Sequence, residues 1–315
     1  MALLSNAFHS FQATGNYEDL TDLIENIDPE ETPLYDSMGQ GYPLNGVFHE
    51  WQTDNLASTN TDNAQLEGET FTPAALTPTK RYGNYAVISL KQFRVTDIQE
   101  KVAKAGRGSE MDYQTAKAMA EIKRDFEAML CHYGTAASAG AGSTTVPRRM
   151  SNVYFWTINT TAHTGVSGLA SSVNPATTLT GNAIDEAAFN DIIQNIWADG
   201  GRPNAVYVNG TLKRGISDWG TSTSRVWKGA TTITNRVDVY DGDFTTLELK
   251  KERHIFSSIG LILQEDMWKK TMLEPIGSVD IARTGLAANK MIRQTWTIEA
   301  RNPTASGLFI ASGTE

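Results

Sequence analysis

Residues 52–79 read QTDNLASTNTDNAQLEGETFTPAALTPT. No core can be built from these residues. Their large apolar side chains are Leu56, Leu66, Phe71 and Leu76, set among Asn, Thr, Asp, Ser and Gly, with prolines at Pro73 and Pro78. A connection of this length without structure of its own is uncommon inside a domain and is usually functional or disordered. Before it, residues 42–51 read as an extended segment. After it, residues 85–95 alternate, with Ala86, Ile88 and Leu90 set against Val87, Ser89 and Lys91. Two strands bracketing such a loop make a long β-hairpin arm. A lone hairpin is marginally stable in water, so this one must lie on something.

The same stretch closes an unusual quarter of the chain. Residues 1–79 carry 13 acidic side chains and no lysine or arginine. All 27 basic residues come from Lys80 onward, against 23 acidic ones. The net charge of −9 argues against clamping DNA along a basic surface. The acidic quarter also holds Leu20, Leu23, Ile24, Ile27, Leu34, Tyr35, Phe48 and Trp51, too apolar for a solvating tail. It calls for a basic, partly apolar counter-surface on its own body or on a neighbour. Lys80, Arg81, Lys101, Lys104 and Arg107 are the expected counter-charges for a neighbour's arm.

Within residues 16–38, Leu20, Leu23, Ile24 and Ile27 form one apolar stripe at helical spacing. Asp28-Pro29 and Thr32-Pro33 should stop that helix, because a residue before proline is pushed out of the α region. The clearest helix starts at the capping-box-like Ser109-Glu110-Met111-Asp112. Met119, Ile122, Phe126, Met129 and Tyr133 then recur at three and four. Lys117–Glu121 and Lys123–Glu127 are expected as i,i+4 pairs on its outer side. With Gly134 as its stop, the helix is a rod of roughly 36 Å.

Residues 135–181 are rich in Ala, Ser, Thr and Gly around an apolar patch at 153–158, and read as loops and short strands opening a second domain. Asp185 opens a helix with Phe189, Ile192, Ile193, Ile196 and Trp197 inward, closed by Gly200-Gly201. A short buried strand at 205–208 and a helix at 211–219 complete an α/β unit. The last third is strand-rich: a hairpin over 237–249, a strand at 259–264, and a strictly alternating strand over 291–301. That last strand carries Ile292, Trp296, Ile298 and Ala300 on one face, Arg293, Thr295, Thr297 and Glu299 on the other.

Motifs for catalysis are missing. There is no Gly-Lys pair for a P-loop, no Gly-x-Ser-x-Gly elbow, and no His-Glu-x-x-His or Cys-x-x-Cys. Gly39-Gln-Gly41 and Gly106-Arg-Gly108 lack the third glycine of a dinucleotide fingerprint. Asp241-Gly-Asp243 starts like a calcium loop, but Thr246 stands where the sharp turn needs glycine, so it reads as a hairpin turn. His9, His49, His132, His163 and His254 show no ligand spacing. The single cysteine, Cys131, reads as a structural helix residue; it precludes an intrachain disulfide and fits a reducing compartment such as a bacterial cytoplasm. No apolar run is long enough to span a membrane. Residues 1–8 have no basic residue before their apolar patch, so no secretory signal is expected. A secreted carbohydrate hydrolase, which the Trp, Asn and Thr content would suit, is disfavoured on that ground. The expectation is a protein without catalytic, cofactor-binding or metal-ligating residues.

Acidic arm, long hairpin, long helix, α/β unit and β-rich return form an order that resembles the Hong Kong 97 (HK-97) type of tailed-bacteriophage major capsid protein. Phe11-Gln-Ala-Thr-Gly-Asn-Tyr-Glu-Asp-Leu20 and Ile27-Asp-Pro-Glu-Glu-Thr-Pro-Leu34 are similar to the start of one branch of these proteins. So are His49-Glu-Trp-Gln-Thr-Asp-Asn-Leu56, Leu66-Glu-Gly68 and Arg81-Tyr-Gly-Asn-Tyr85. Trp197-Ala-Asp-Gly-Gly201, Val237-Asp-Val-Tyr240, Leu273-Glu-Pro-Ile276 and Glu299-Ala-Arg-Asn302 follow in the expected order. The likeness covers most of the chain and is weakest across 136–181, read as an insertion.

The resemblance implies an α+β fold with an N-arm (1–45), an E-loop (46–95), a P-domain with the spine helix (96–135), an A-domain (136–235), and P-domain strands with a C-terminal segment (236–315). It implies a non-enzymatic subunit that assembles as hexamers and pentamers into an icosahedral head around phage dsDNA, contacted non-specifically. Portal, scaffolding and decoration proteins are the further partners, no membrane is involved, and the location is the virion, assembled in the host bacterial cytoplasm. Many relatives begin with a long charged scaffolding segment; the arm here starts almost at once, so a separate scaffold, or none, is expected. With no lysine in 52–79, the lysine–asparagine cross-link of some relatives is not carried over. An encapsulin-like nanocompartment shell, or a tail or decoration protein, is the alternative.

Overall fold

Ser109 starts the long helix, its Oγ accepting a hydrogen bond from the Asp112 N–H at 3.2 Å. That satisfies one of the donors a helix start leaves open. The computed structural model describes residues 24–68, 70, 73, 75–132, 139–159, 163–164, 186–219, 226–227, 233–234 and 237–310. In chain order the helices are α1 (Pro33–Ser37), α2 (Asp97–Lys101), α3 (Glu110–Cys131), α4 (Val153–Asn159), α5 (Glu186–Ala198) and α6 (Gly210–Trp219). The strands are β1 (Gly39–Gln40), β2 (Phe48–Thr53), β3 (Lys80–Tyr85), β4 (Val87–Thr96), β5 (His163–Thr164), β6 (Ala205–Val208), β7 (Val226–Trp227) and β8 (Ile233–Thr234). They continue with β9 (Val239–Asp241), β10 (Thr246–Lys251), β11 (Ile259–Leu263), β12 (Trp268–Ile281), β13 (Ala287–Ala300) and β14 (Gly307–Ile310).

Two sheets organise the chain. The first has the order β1-β12-β13-β4, with β12, β13 and β4 antiparallel. Helix α3, 22 residues and about 33 Å long, packs on it. Ile122, Phe126 and Leu130 meet Val87, Ile292, Trp296 and Ile298 in one buried cluster. Phe126 and Trp296 stand 5.0 Å apart between ring centres. The alternation expected over β13 is present, with Ile292, Trp296, Ile298 and Ala300 all buried. Its other face is covered too, since Thr295, Thr297 and Glu299 are buried.

The second sheet has the order β5-β14-β11-β6-β10-β9, in which β6 and β10 run parallel. Ala205, Val206, Tyr207 and Val208 are all buried because both faces of β6 are covered. Val206 and Val208 face α5 and α6 with Phe189, Ile193, Ile196, Leu212 and Ile216. Ala205 and Tyr207 face the core shared with α3 and α4. Gly260 lets β11 approach β14, since a Cβ there would lie 2.0 Å from the Phe309 ring.

Several expectations need correcting. Ile24 and Ile27 are not helical, while Leu20 and Leu23 lie outside the described residues. Pro33 does not end a helix but begins α1, where its missing N–H costs nothing. The hairpin's second strand is β3 rather than 85–95: Phe48 pairs with Tyr85 and Thr53 with Lys80, and β4 belongs to the first sheet. Residues 153–158 form helix α4 rather than strands, its Phe155 N–H received by Asn152 Oδ1 at 3.0 Å. Trp197 is 55% exposed instead of inward. Glu127 is buried, so the Lys123–Glu127 pair on the outer side does not exist, whereas Lys117 and Glu121 do approach to 3.9 Å. Tyr133, Gly134 and Asp185 lie outside the described residues. The strand-rich last third divides between the sheets: β9, β10, β11 and β14 join β6, while β12 and β13 join β4.

Candidate assembly surfaces and a buried acidic cluster

The hairpin has a firm base and an open tip. At its base Trp51 is buried, its ring 5.3 Å from Trp156 on α4. Asn84 is fully buried between segments: Nδ2 donates to the Ser151 and Ile298 carbonyls at 2.9 and 3.1 Å, and Oδ1 accepts from the Ser151 N–H at 2.8 Å. His49 Nε2 lies 3.6 Å from Glu299 Oε2. His49, and then Arg301 at 2.9 Å, hold the Glu299 carboxyl below its usual range. Beyond Thr53 the described residues up to Thr79 form neither strand nor helix. Leu56 is 99% exposed, Leu66 77% and Leu76 96%.

The arm behaves differently over residues 32–44. Leu34, Tyr35, Met38 and Leu44 are buried. Glu127 on α3 accepts the Leu34 and Tyr35 N–H groups, each at 2.7 Å, so it caps the start of α1 from another element. Lys270 donates to the Tyr35 carbonyl at 2.8 Å and stands 4.0 Å over the Tyr35 ring. Upstream, Ile24 and Ile27 line a groove with Tyr113, Ala116, Ala120 and Arg124 of α3. Asp28 reaches Arg124 at 3.4 Å and Glu31 reaches Arg253 at 4.0 Å. The acidic quarter therefore finds part of its counter-charge on its own body.

Most of the cations expected to serve a neighbour are engaged locally. Arg81 pairs with Glu50 across the hairpin at 3.1 Å, and Arg107 with Glu110 at 2.6 Å. Lys104 is nearly buried, donating to the Gln99 and Glu100 carbonyls at 2.8 Å. Lys80 and Lys101 are exposed, without an ion-pair partner among the described residues. A further apolar surface sits at one end of the first sheet, where Ile98, Val102 and Leu286 are exposed. There the Asp97 N–H donates to the Leu286 carbonyl at 3.1 Å, and Arg283 lies 3.3 Å from Asp97.

One polar cluster escaped the sequence. Cys131 is buried on α3, as expected, and His132 beside it is exposed. The thiol instead meets Glu127, one turn earlier on the helix, and Glu252, which follows β10; their ligand atoms lie within 4.8 Å of one another. Burial, and then the neighbouring Glu252, push the Glu127 carboxyl up to about 9. Burial and the two carboxyls raise the Cys131 thiol. The i,i+4 spacing of Glu127 and Cys131 was the only signal available; Glu252 comes to them through the fold. At Asp241-Gly-Asp243 the expected hairpin turn is present, with the Gly242 N–H donating to the Thr245 carbonyl at 3.1 Å. No helix among the described residues is long and apolar enough to cross a membrane.

The sequence profile of the SU10 major capsid proteins matches residues 5–312. The chain belongs to the SU10 major capsid protein family. A major capsid protein of Escherichia phage Phieco32 is 35% identical over 123 residues, 39% of this chain and 35% of that relative, so the alignment spans about a third of the relative's length. Among solved structures, one of Gordonia phage Cozz has a TM-score of 0.62 at 11% identity and covers 99% of both chains. The capsid structure of the cyanophage P-SCSP1u has a TM-score of 0.60 at 10% identity, covering 99% of this chain and 97% of that one. The capsid of a native GTA particle has a TM-score of 0.64 at 7% identity, covering 96% and 98%. At these identities the likeness is one of fold. This SU10-family chain has the α+β fold of phage capsid proteins, of the HK-97 type, as the resemblance led one to expect.

Proposed function

We propose that this SU10-family subunit builds a closed icosahedral head from hexamers and pentamers around dsDNA, and acts by self-assembly without a catalytic site. The observation that carries this reading is the contrast within one hairpin, whose base is locked into the core while Leu56, Leu66 and Leu76 project into solvent. Apolar side chains on an unsupported loop are stabilised only by a surface that covers them. A neighbouring copy supplies that surface, and the exposed end at Ile98, Val102 and Leu286 supplies another contact. Exposed ion pairs add about 0.2–1 kcal/mol each, repeated at every symmetric contact. Of the five cations expected to serve a neighbour's acidic arm, Lys80 and Lys101 remain for that role.

In domain terms, residues 1–45 serve as the arm and 46–85 as the extended loop. Helix α3 with β1, β4, β12 and β13 serves as the P-domain. Helices α4 to α6 with the six-stranded sheet, β9 to β11 included, serve as the A-domain. Portal, scaffolding and decoration proteins are the further partners, the packaged DNA is contacted without sequence readout, and assembly takes place in the host bacterial cytoplasm. Electron microscopy of the expressed chain tests the reading. Closed shells or sheets of hexamers are expected; a monodisperse monomer at high concentration, with or without a co-expressed scaffold, contradicts it. Shells filled with an enzyme cargo and no DNA in the infected cell would turn the reading to a nanocompartment.

A further inference from the structure

We infer that Glu127, Cys131 and Glu252 form a binding site for one divalent metal ion of the zinc class, tying α3 to the connection between β10 and β11. The inference stands on the geometry of a single chain and does not depend on how copies assemble. Glu127 and Cys131 stand one helical turn apart, so both side chains project from one face of α3. Glu252, which follows β10, turns in to meet them, and the three ligand atoms lie within 4.8 Å of one another. All three residues are buried, Glu252 being only 2% exposed.

The carboxylate of Glu252 is the second observation. One of its oxygens accepts the His254 N–H at 2.8 Å. The other is buried and, among the described residues, meets no N–H or O–H donor apart from the neighbouring Glu127 carboxyl. A buried carboxylate oxygen beside a second carboxyl and a thiol needs a positive charge: a proton shared with Glu127, or a cation. Lys270, whose charge interacts with Glu127, is aimed at the Tyr35 carbonyl instead. Glu127 is oriented as metal-ligating carboxylates are, each oxygen held by a backbone N–H at 2.7 Å.

The donor set names the class of ion. A thiolate disfavours magnesium and calcium, which take oxygen ligands, and one sulfur with two carboxylate oxygens suits zinc. Three protein ligands leave a fourth position for a water or a backbone oxygen. The ion would fasten α3 to the second sheet and, through Glu127, hold the start of α1.

Untagged full-length protein, loaded with Zn²⁺ and then dialysed against metal-free buffer, should retain about one zinc per chain by mass spectrometry. Loading with Co²⁺ should give a thiolate-to-cobalt charge-transfer band that Cys131→Ser abolishes. Glu252→Gln should lower zinc retention at least about tenfold. A chelator should lower the melting temperature of the wild-type chain, with Zn²⁺ restoring it. No retained zinc in the wild-type chain with a melting temperature indifferent to chelator would overturn the inference in favour of a shared proton. Equal retention by Glu252→Gln, or an unchanged cobalt spectrum in Cys131→Ser, would place the ion elsewhere and overturn it as well. The wild-type measurements decide the matter even if both variants fail to fold.

Discussion

Residues 32–44 and residues 54–79 come from the same acidic, lysine-free quarter of the chain, yet the first buries Leu34, Tyr35, Met38 and Leu44 in its own body while the described leucines of the second stay exposed. In the first, Leu34 and Tyr35 enter the aromatic core beside Phe126 and Trp296, and both of their N–H groups are received by Glu127. In the second, Leu56, Leu66 and Leu76 are exposed. Charge does not separate the two. What separates them is spacing: a short helix can bring two adjacent apolar residues to one pocket, whereas leucines some ten residues apart among Asn, Thr and Gly cannot share one. The first segment belongs to the stability of the subunit. The second belongs to its contacts with other copies.

Substitutions can break this division or sharpen it. Leu34→Ala, a cavity in the first region, should cost about 2–5 kcal/mol in urea denaturation of the unassembled subunit. A cost below that of a surface substitution would mean the arm is only loosely docked. Lys270→Ala removes the contact to the Tyr35 carbonyl and the charge over its ring, and should cost about 1–2 kcal/mol, again in the isolated subunit.

Glu299 tests the base of the hairpin by pH. His49 and Arg301 hold its folded carboxyl below the usual value of 4.5, so its contribution is present above that value and is lost as pH falls through the folded one. Glu299→Gln should therefore flatten the acid limb of the stability–pH profile below about 4.5 and leave the alkaline limb alone. An unchanged acid limb would show that the base of the hairpin is not held there. The smallest effect on stability is expected at the tip. Leu56→Asp with Leu76→Asp should alter subunit stability by no more than about 0.5 kcal/mol and yet suppress particle formation seen by electron microscopy. Normal particles from that variant would remove the loop from the contacts.

Legibility in the sequence followed the strength of the period. Helix α3, helix α5 and strand β13 were read because their apolar residues recur over many positions, and Ser109 marked its own helix start. Helix α4 was missed because Val153, Tyr154, Phe155, Trp156 and Thr157 are strand formers by propensity, and only burial against α3 and the Asn152 cap make them helical. The break at Ala86 between β3 and β4 was invisible because alternation runs through it; the two strands differ in partner, which is a tertiary fact. Glu127 looked like half of a surface ion pair, since a sequence does not tell a charged helix face from one capped by a distant segment. The open loop at 54–79 was plain from the outset because composition alone forbids it a core.

Amide hydrogen exchange over residues 54–79, compared between the unassembled subunit and the assembled particle, tests the division most directly. Near-free exchange in the subunit and strong protection in the particle are expected, with the amides of residues 34–37 protected in both. Protection of 54–79 already complete in the subunit, or absent from the particle, would contradict it.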